Sequence, residues 1–293
     1  MNDAEGERLL KPLLRMKPAR IPRTAETSHV LFPGLKRGLF AGMHFVITGM
    51  MDAELEELSG RIREHGGSII ERERFEERPE AVAAILRKTC RHGEFPGSLL
   101  VAPTNSRTFK YLLSVSCSVP TLHFSYVAHC IAVAGLLDWR QYLLPLGRAI
   151  LPDGPRPGWW YINPNCHPFD GRYRSLLPHS PTFDGQLLEV VGKNPEWKRH
   201  WVCLLRLNSA KVVDRLFHDE ARPSDVIITD LQHSQIIQTR CIKRGIPLVS
   251  VEWAVHSIFA RTALPPDYDD SFRGLDCPPS SPESTPRPLT SLE

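Results

Sequence analysis

The feature that most constrains this chain is that part of it occurs twice. Leu99-Leu100-Val101-Ala102 is answered 127 residues later by Val226-Ile227-Ile228-Thr229, and Val119-Pro120 by Ile246-Pro247. At the same offset, Tyr126-Val127-Ala128-His129-Cys130-Ile131 is answered by Trp253-Ala254-Val255-His256-Ser257-Ile258. Three blocks in one order at one offset indicate an internal duplication, and two copies make a tandem rather than a solenoid. The fold to be explained is one unit of roughly 90 residues, used twice.

The first copy reads as alternating strands and helices. His44-Phe45-Val46-Ile47-Thr48 is a short apolar run that ends at Gly49, as a buried strand would. From Asp52, Leu55, Leu58 and Ile62 fall at helical spacing, with Asp52 and Glu54 where the helix dipole favours acids, and Gly66-Gly67 end the run. Ser68 to Ile70 is a second strand. Residues 71–97 are charged and read as a loop with one short helix around Val82 to Leu86. Leu99 to Val101 is a third strand, Arg107 to Cys117 a helix, Val119-Pro120 the approach to a fourth strand, and Phe124 to Ala134 a last helix. Leu187 to Val191 before Gly192 opens the second copy as His44 to Thr48 opens the first. The order βαββαβα implies an α/β fold, a small parallel sheet in each repeat with helices on both faces.

Composition divides the chain further. The 26 prolines cluster in residues 12–38, 145–181 and 265–293. We therefore expect a flexible basic tail at 1–38, a first repeat at 39–146, a Pro- and aromatic-rich linker at 147–183, a second repeat at 184–266 and a disordered Ser/Pro tail at 267–293. The Ser281-Pro282 and Thr285-Pro286 steps are of the kind kinases use, and are also common in disordered tails. Lys11, Arg15, Lys17, Arg20 and Arg23 suit nuclear import, backbone contact or simple solubility. A net charge of +3 is too small for binding nucleic acid by bulk electrostatics. No apolar run suggests a membrane span or a secretory signal, so an intracellular protein is expected. Seven scattered cysteines without a CxxC pair read as mostly buried thiols rather than a disulfide framework or zinc ribbon.

A βαββαβα unit with Gly66-Gly67 after its first helix and an aromatic anchor in its last resembles the BRCT repeat, here as a tandem pair. In that family the last helix carries Trp followed four residues later by Cys or Ser, and Trp253 with Ser257 fits. The first copy has Tyr126 with Cys130, which keeps a large aromatic in the core. Asn208-Ser209 stands in the second copy where Gly-Gly is expected, so its first helix should end less sharply. Ser106 to Leu112 and Trp139 to Pro145 look most like the C-terminal repeat pair of a DNA-damage checkpoint mediator that binds the genome-guarding tumour suppressor.

The residues that could do chemistry lie in the first copy. Thr48 and Gly49 sit where a strand ends and a helix is about to begin, presenting a hydroxyl together with a backbone N–H. Lys110 falls in the first turns of a helix that Thr104, Asn105 or Ser106 caps. Arg107 and Lys110, three apart, put two cations near the positive end of that helix, where each is disfavoured by about 0.3–1 kcal/mol. A phosphoserine or phosphothreonine, with about −1.5 to −2 charges, would relieve the conflict. The resemblance implies the same residues: many BRCT tandems hold phosphate with a Thr/Ser, Gly and Lys set, and Arg107 would read a carboxylate or backbone atom just beyond it. In the second copy Val191, Ser234 and Ile237 replace Thr48, Arg107 and Lys110, so phosphate cannot be held there in this way. By family analogy the second copy packs on the first and walls a groove for residues after the phosphate. The bland alternative makes Thr48 a helix cap and the two cations solvated surface charges.

Other candidates are weaker. His129 and His256 recur because a helix recurs, and Cys166-His167 with His179 lacks the spacing of a zinc site. Trp159-Trp160-Tyr161 suits an aromatic platform or, more often, a linker pinned to its own domains. No nucleotide, hydrolase or metalloprotease motif occurs, so neither an enzyme nor a cofactor is expected.

The resemblance implies a nuclear, non-enzymatic scaffold of the DNA-damage response. Its implied partner is a phosphorylated protein, with a histone-variant C-terminal tail at double-strand breaks as the leading ligand. The alternative is a phosphate-independent module that binds a tumour-suppressor transcription factor or repair protein through the first repeat and linker. A third class is an appendage of a ligase or polymerase, or DNA-end binding through the basic tail. The leading reading requires neither direct nucleic-acid binding nor a membrane.

Overall fold

The computed structural model describes residues 38–90, 97–144, 147–149, 156–157, 182–215, 225–231 and 235–274. The expectations for the two tails, for Trp159-Trp160-Tyr161, and for Cys166, His167, His179 and Ser234 fall outside the described residues.

The first repeat runs β1 (His44–Ile47), α1 (Asp52–Glu64), β2 (Ser68–Ile69), α2 (Arg72–Glu77), α3 (Pro79–Cys90), β3 (Ser98–Ala102), α4 (Phe109–Ser116), β4 (Thr121–His123) and α5 (Ser125–Ala132). A short antiparallel pair follows, β5 (Arg148–Ala149) with β6 (Arg156–Pro157). The second repeat runs β7 (Leu187–Val191), α6 (Pro195–Leu207), β8 (Lys211–Val213), β9 (Asp225–Thr229), α7 (Gln235–Arg244), β10 (Leu248–Ser250) and α8 (Val251–Ala260). The strand orders β2-β1-β3-β4 and β8-β7-β9-β10 are the same topology twice, and every pair within them is parallel. No described helix is long and apolar enough to cross a membrane.

Continuous apolar strands follow from burial on both faces. Phe45, Ile47, Leu99, Val101 and Leu122 turn toward α1 and α5, where Leu58, Ile62, Tyr126, Val127 and Cys130 close one core layer. Val46, Leu100 and Ala102 turn the other way, toward α3 and α4. That layer is continuous with Leu188, Val190, Val226, Ile228 and the buried faces of α6 and α8. A single core thus crosses from one repeat into the other. Trp253 sits within it fully buried, its Nε1 donating to the Leu264 carbonyl at 2.7 Å.

Three expectations are corrected. Residues 71–97 contain two helices, because Phe75 anchors α2 and Val82, Ala83 and Leu86 anchor α3 over a longer span than expected. The second copy's first helix ends as sharply as the first copy's. Ser209 takes the left-handed conformation (φ 71°) that Gly66 takes at φ 84°, and Ala210 N donates to Leu205 O at 3.0 Å as Gly67 N does to Ile62 O at 2.9 Å. The second repeat also extends past the expected limits of 184–266, since Phe183 and Phe272 are fully buried and Arg273 pairs with Val249 at the sheet edge.

Polar contacts fix the register of the shared core. Asn208 donates through Nδ2 to Ser116 Oγ and to Leu204 O, both at 2.8 Å, and its Oδ1 accepts from Thr182 Oγ1 at 3.3 Å. Arg87 donates to Leu207 O at 2.8 Å. Replacing Asn208 with Ala removes the Nδ2 donor to the buried Ser116 hydroxyl and the Oδ1 acceptor for Thr182, at a cost of about 1–3 kcal/mol in urea-unfolding stability. An N208A variant as stable as the parent protein would show that the contact contributes nothing.

Candidate functional site

Four consecutive residues at the start of α4 go four ways. Thr108 turns toward β1, Lys110 toward α2, Phe109 toward α6 and Arg107 toward α8. The N-cap is Thr108, not Thr104, Asn105 or Ser106, and its hydroxyl accepts from Tyr111 N at 3.4 Å. Arg107 therefore precedes the helix, and the expected cation repulsion within the first turn does not arise.

Thr48, 8% exposed at the end of β1, meets Thr108 hydroxyl to hydroxyl at 2.9 Å. Thr108 Oγ1 already accepts from Tyr111 N and from Ser106 Oγ, the latter at 3.4 Å. A hydroxyl has one proton and two acceptor sites, so Thr108 gives its proton to Thr48. Thr48's own proton is then left to donate to a third group. Next along the chain, Gly49 has φ 75°, a conformation in which a side chain is strained. Thr48 does not cap α1, whose N-cap is Met51.

Lys110 is half-buried, and its ammonium lies 5.6 Å from the centre of the Phe75 ring. Burial, then Arg72, pull its pKa below the ordinary lysine value, while Glu73, Glu71 and Glu76 oppose them. Arg72 is itself paired to Glu76 at 2.5 Å. Lys110 is thus a cation whose desolvation is only partly compensated within the protein.

Arg107 reaches across the repeats. It is paired to Glu252 on α8, and its second terminal nitrogen lies 3.4 Å from His256 Nε2. Phe109 stacks on His200 of α6 at 3.9 Å, the planes 12° apart.

In the second copy the equivalent corner is filled. Gly192 packs so closely on Trp197 that a Cβ there would lie 2.6 Å from the ring. The Lys193 amide donates to Asp230 Oδ2 at 3.0 Å, so the protein's own carboxylate takes a donor that an external anion would need. Ile237 packs among Ile227, Cys241 and Ile246.

Of the four expected residues, Thr48 and Lys110 are tied to the same helix N-terminus, through the Thr108 cap and directly. Gly49 adjoins Thr48, and Arg107 links this corner to the second repeat. Sequence reasoning missed Thr108, Glu252, Trp197 and Asp230. Only Thr108 carried a signal, as one more capping residue in a polar run that offered several.

Two models of the BRCA1 C Terminus (BRCT) domain match the chain, over residues 35–131 and 182–274. The chain belongs to the BRCT family, as two domains in tandem. The DNA repair protein crb2 of Schizosaccharomyces pombe is 21% identical over 183 residues, 57% of this chain and 22% of that protein. The chain thus spans about a fifth of that relative's length. Among solved structures, the BRCT5-BRCT6 domains of S. pombe Brc1 match at TM-score 0.43 and 13% identity, over 79% of this chain and 96% of that one. A complex of Rtt107p with a phosphorylated histone matches at TM-score 0.43 and 14% identity, over 76% and 88%.

The burial of His200 makes stability depend on pH. Burial lowers the His200 pKa below the ordinary imidazole value, outweighing Glu196, Glu76 and Glu80. The unfolded chain therefore binds the proton more readily than the folded one, and stability falls as pH drops below about 6.5, the ordinary imidazole value. Thermal melts at pH 7.5 and 5.5 should show this loss, and His200→Phe should reduce it. An equal acid shift in both proteins would assign the effect elsewhere.

Proposed function

We propose that this tandem is a non-enzymatic, nuclear phosphopeptide-binding scaffold of the DNA-damage response. It reads a phosphorylated Ser or Thr through the first repeat, with a histone-variant C-terminal tail at double-strand breaks as its ligand. The observation that carries the reading is the corner at the α4 N-terminus. A threonine hydroxyl with a proton to donate adjoins a positive-φ glycine, and an incompletely compensated lysine rises from the first turn of the helix that the threonine's partner caps. That turn also leaves the amides of Phe109 and Lys110 without an intrahelical acceptor. A phosphate dianion fits such donors through charge-assisted hydrogen bonds. Thr48, Gly49 and Lys110 hold the phosphate, and Arg107, steadied by Glu252, reads a carboxylate or backbone atom beyond it. Membership of the BRCT family and likeness to a DNA repair protein support the assignment to the damage response.

The alternative, a phosphate-independent module using the first repeat and linker for a transcription factor or repair protein, draws support from one feature. The Lys110 ammonium already has the Phe75 ring as a partner.

Calorimetric titration with matched phosphorylated and unphosphorylated histone-variant tail peptides separates the two. The phosphorylated form alone should bind, more weakly at higher salt. Lys110→Met and Thr48→Ala should each lower affinity about 10- to 100-fold, the worth of a charge-assisted bond. Equal affinity for both peptides would favour the phosphate-independent module.

A further inference from the structure

What faces the Arg107 guanidinium on the second repeat decides how much of it a ligand can use. Glu252 takes one terminal nitrogen, and the other lies 3.4 Å from His256 Nε2. The same His256 nitrogen is 3.6 Å from Glu252 Oε2. His256 is buried at 5% exposure, its ring 5.6 Å from that of Phe272. From the 269–273 segment Asp269 also faces it. The Asp269 carboxyl is held below its ordinary pKa chiefly by its hydrogen bonds to Ser271, with His256 adding a smaller pull.

A guanidinium has donors only, so the Arg107–His256 contact is a hydrogen bond only while Nε2 carries no proton and Nδ1 carries it. Protonation at Nε2 sets two donors against each other. It also adds a second positive charge beside Arg107 and makes the imidazolium a rival for the Glu252 carboxylate.

We propose that His256 is a positioning residue of the reader: in its neutral, Nδ1-protonated form it holds Arg107 toward the ligand, and its protonation releases Arg107 and weakens phosphopeptide binding. The effect on binding rests on the proposed function, whereas the tautomer and the Arg107 contact rest on the geometry alone.

The test uses the full chain, wild type and His256→Gln, titrated from pH 7.5 to 5.5 with a synthetic phosphoserine peptide of a histone-variant tail. The second ionisation of phosphate, near pH 6, weakens both proteins alike, so the readout is their ratio. The ratio of wild-type to variant affinity should fall about fivefold between pH 7.5 and pH 5.5. A ratio constant with pH would leave His256 a packing residue and overturn the proposal. Nitrogen-15 spectra of the His256 ring form the second arm: a proton on Nε2 at pH 7.5 overturns it, and a proton on Nδ1 supports it. Should His256→Gln fail to fold, the wild type suffices. The Arg107 guanidinium resonances must then shift with the same midpoint as the His256 ring, and a different midpoint or no shift overturns the proposal. If neither protein binds the phosphopeptide at any pH, the proposed function fails, while the ring and guanidinium spectra still decide whether His256 holds Arg107.

Discussion

The apolar layer shared by the two repeats is the constraint on which the rest of the molecule depends. The face of the first sheet that carries Val46, Leu100 and Ala102 is covered by α3 and α4, and this cover is buried in turn against α6 and α8. Apolar burial stabilises at about 25 cal/mol per Å² but is indifferent to register. Direction comes from the polar groups at its rim, where Asn208 meets Ser116, Arg87 meets the end of α6, and Phe109 stacks on His200. Together they fix α4 against both repeats. One helix N-terminus thus serves the β1 corner on one side and α8 on the other.

Duplication followed by divergence explains why one repeat has a candidate site and the other does not. Both corners are built from the end of the first strand, a glycine, and the loop after the third strand. In the first, Thr48 is drawn to the cap of α4 and Pro103 follows the third strand. In the second, Asp230 follows it and bonds the Lys193 amide, while Trp197 closes on Gly192. A carboxylate in place of an external anion and an indole in place of open space make the second corner self-sufficient. This difference outweighs the loss of a lysine at Ile237, because restoring a cation there would still leave the donor occupied.

Much of this architecture could be read in the residues, and the failures have physical causes. The duplicated strands were legible because burial on both faces forces uninterrupted apolar runs, and α1 because Leu55, Leu58 and Ile62 keep helical period against charged neighbours. Helix α2 was not. Its sequence, Arg72 to Glu77, has the single apolar residue Phe75, so no period exists to detect, and one buried ring against the body of the protein suffices to fold it. Ser209 defeated the glycine rule for helix ends because its neighbour Asn208 is anchored by three hydrogen bonds, which offset the cost of the left-handed turn. Thr48 and Lys110 were legible by type and position. Thr108 was not, since Thr104 to Thr108 contains four capping residues and only the contact with Thr48 selects one.

The interface and the candidate site share residues, which makes their energetics reciprocal. Arg107 and Phe109 belong to the docked arrangement through Glu252, His256 and His200, and Thr108 and Lys110 in the same stretch line the corner where an anion would sit. Any ligand that draws on Arg107 as oriented by α8 binds the docked state in preference to an undocked one. By linkage it must stabilise docking by the free energy of that preference. A substitution deep in the shared core, far from any ligand, therefore reaches the site by loosening the orientation of Arg107. The corner formed by Thr48, Gly49 and Lys110 lies wholly within the first repeat and is spared that route. On the proposed function, loss of inter-repeat packing erodes recognition beyond the phosphate before it erodes the hold on the phosphate itself.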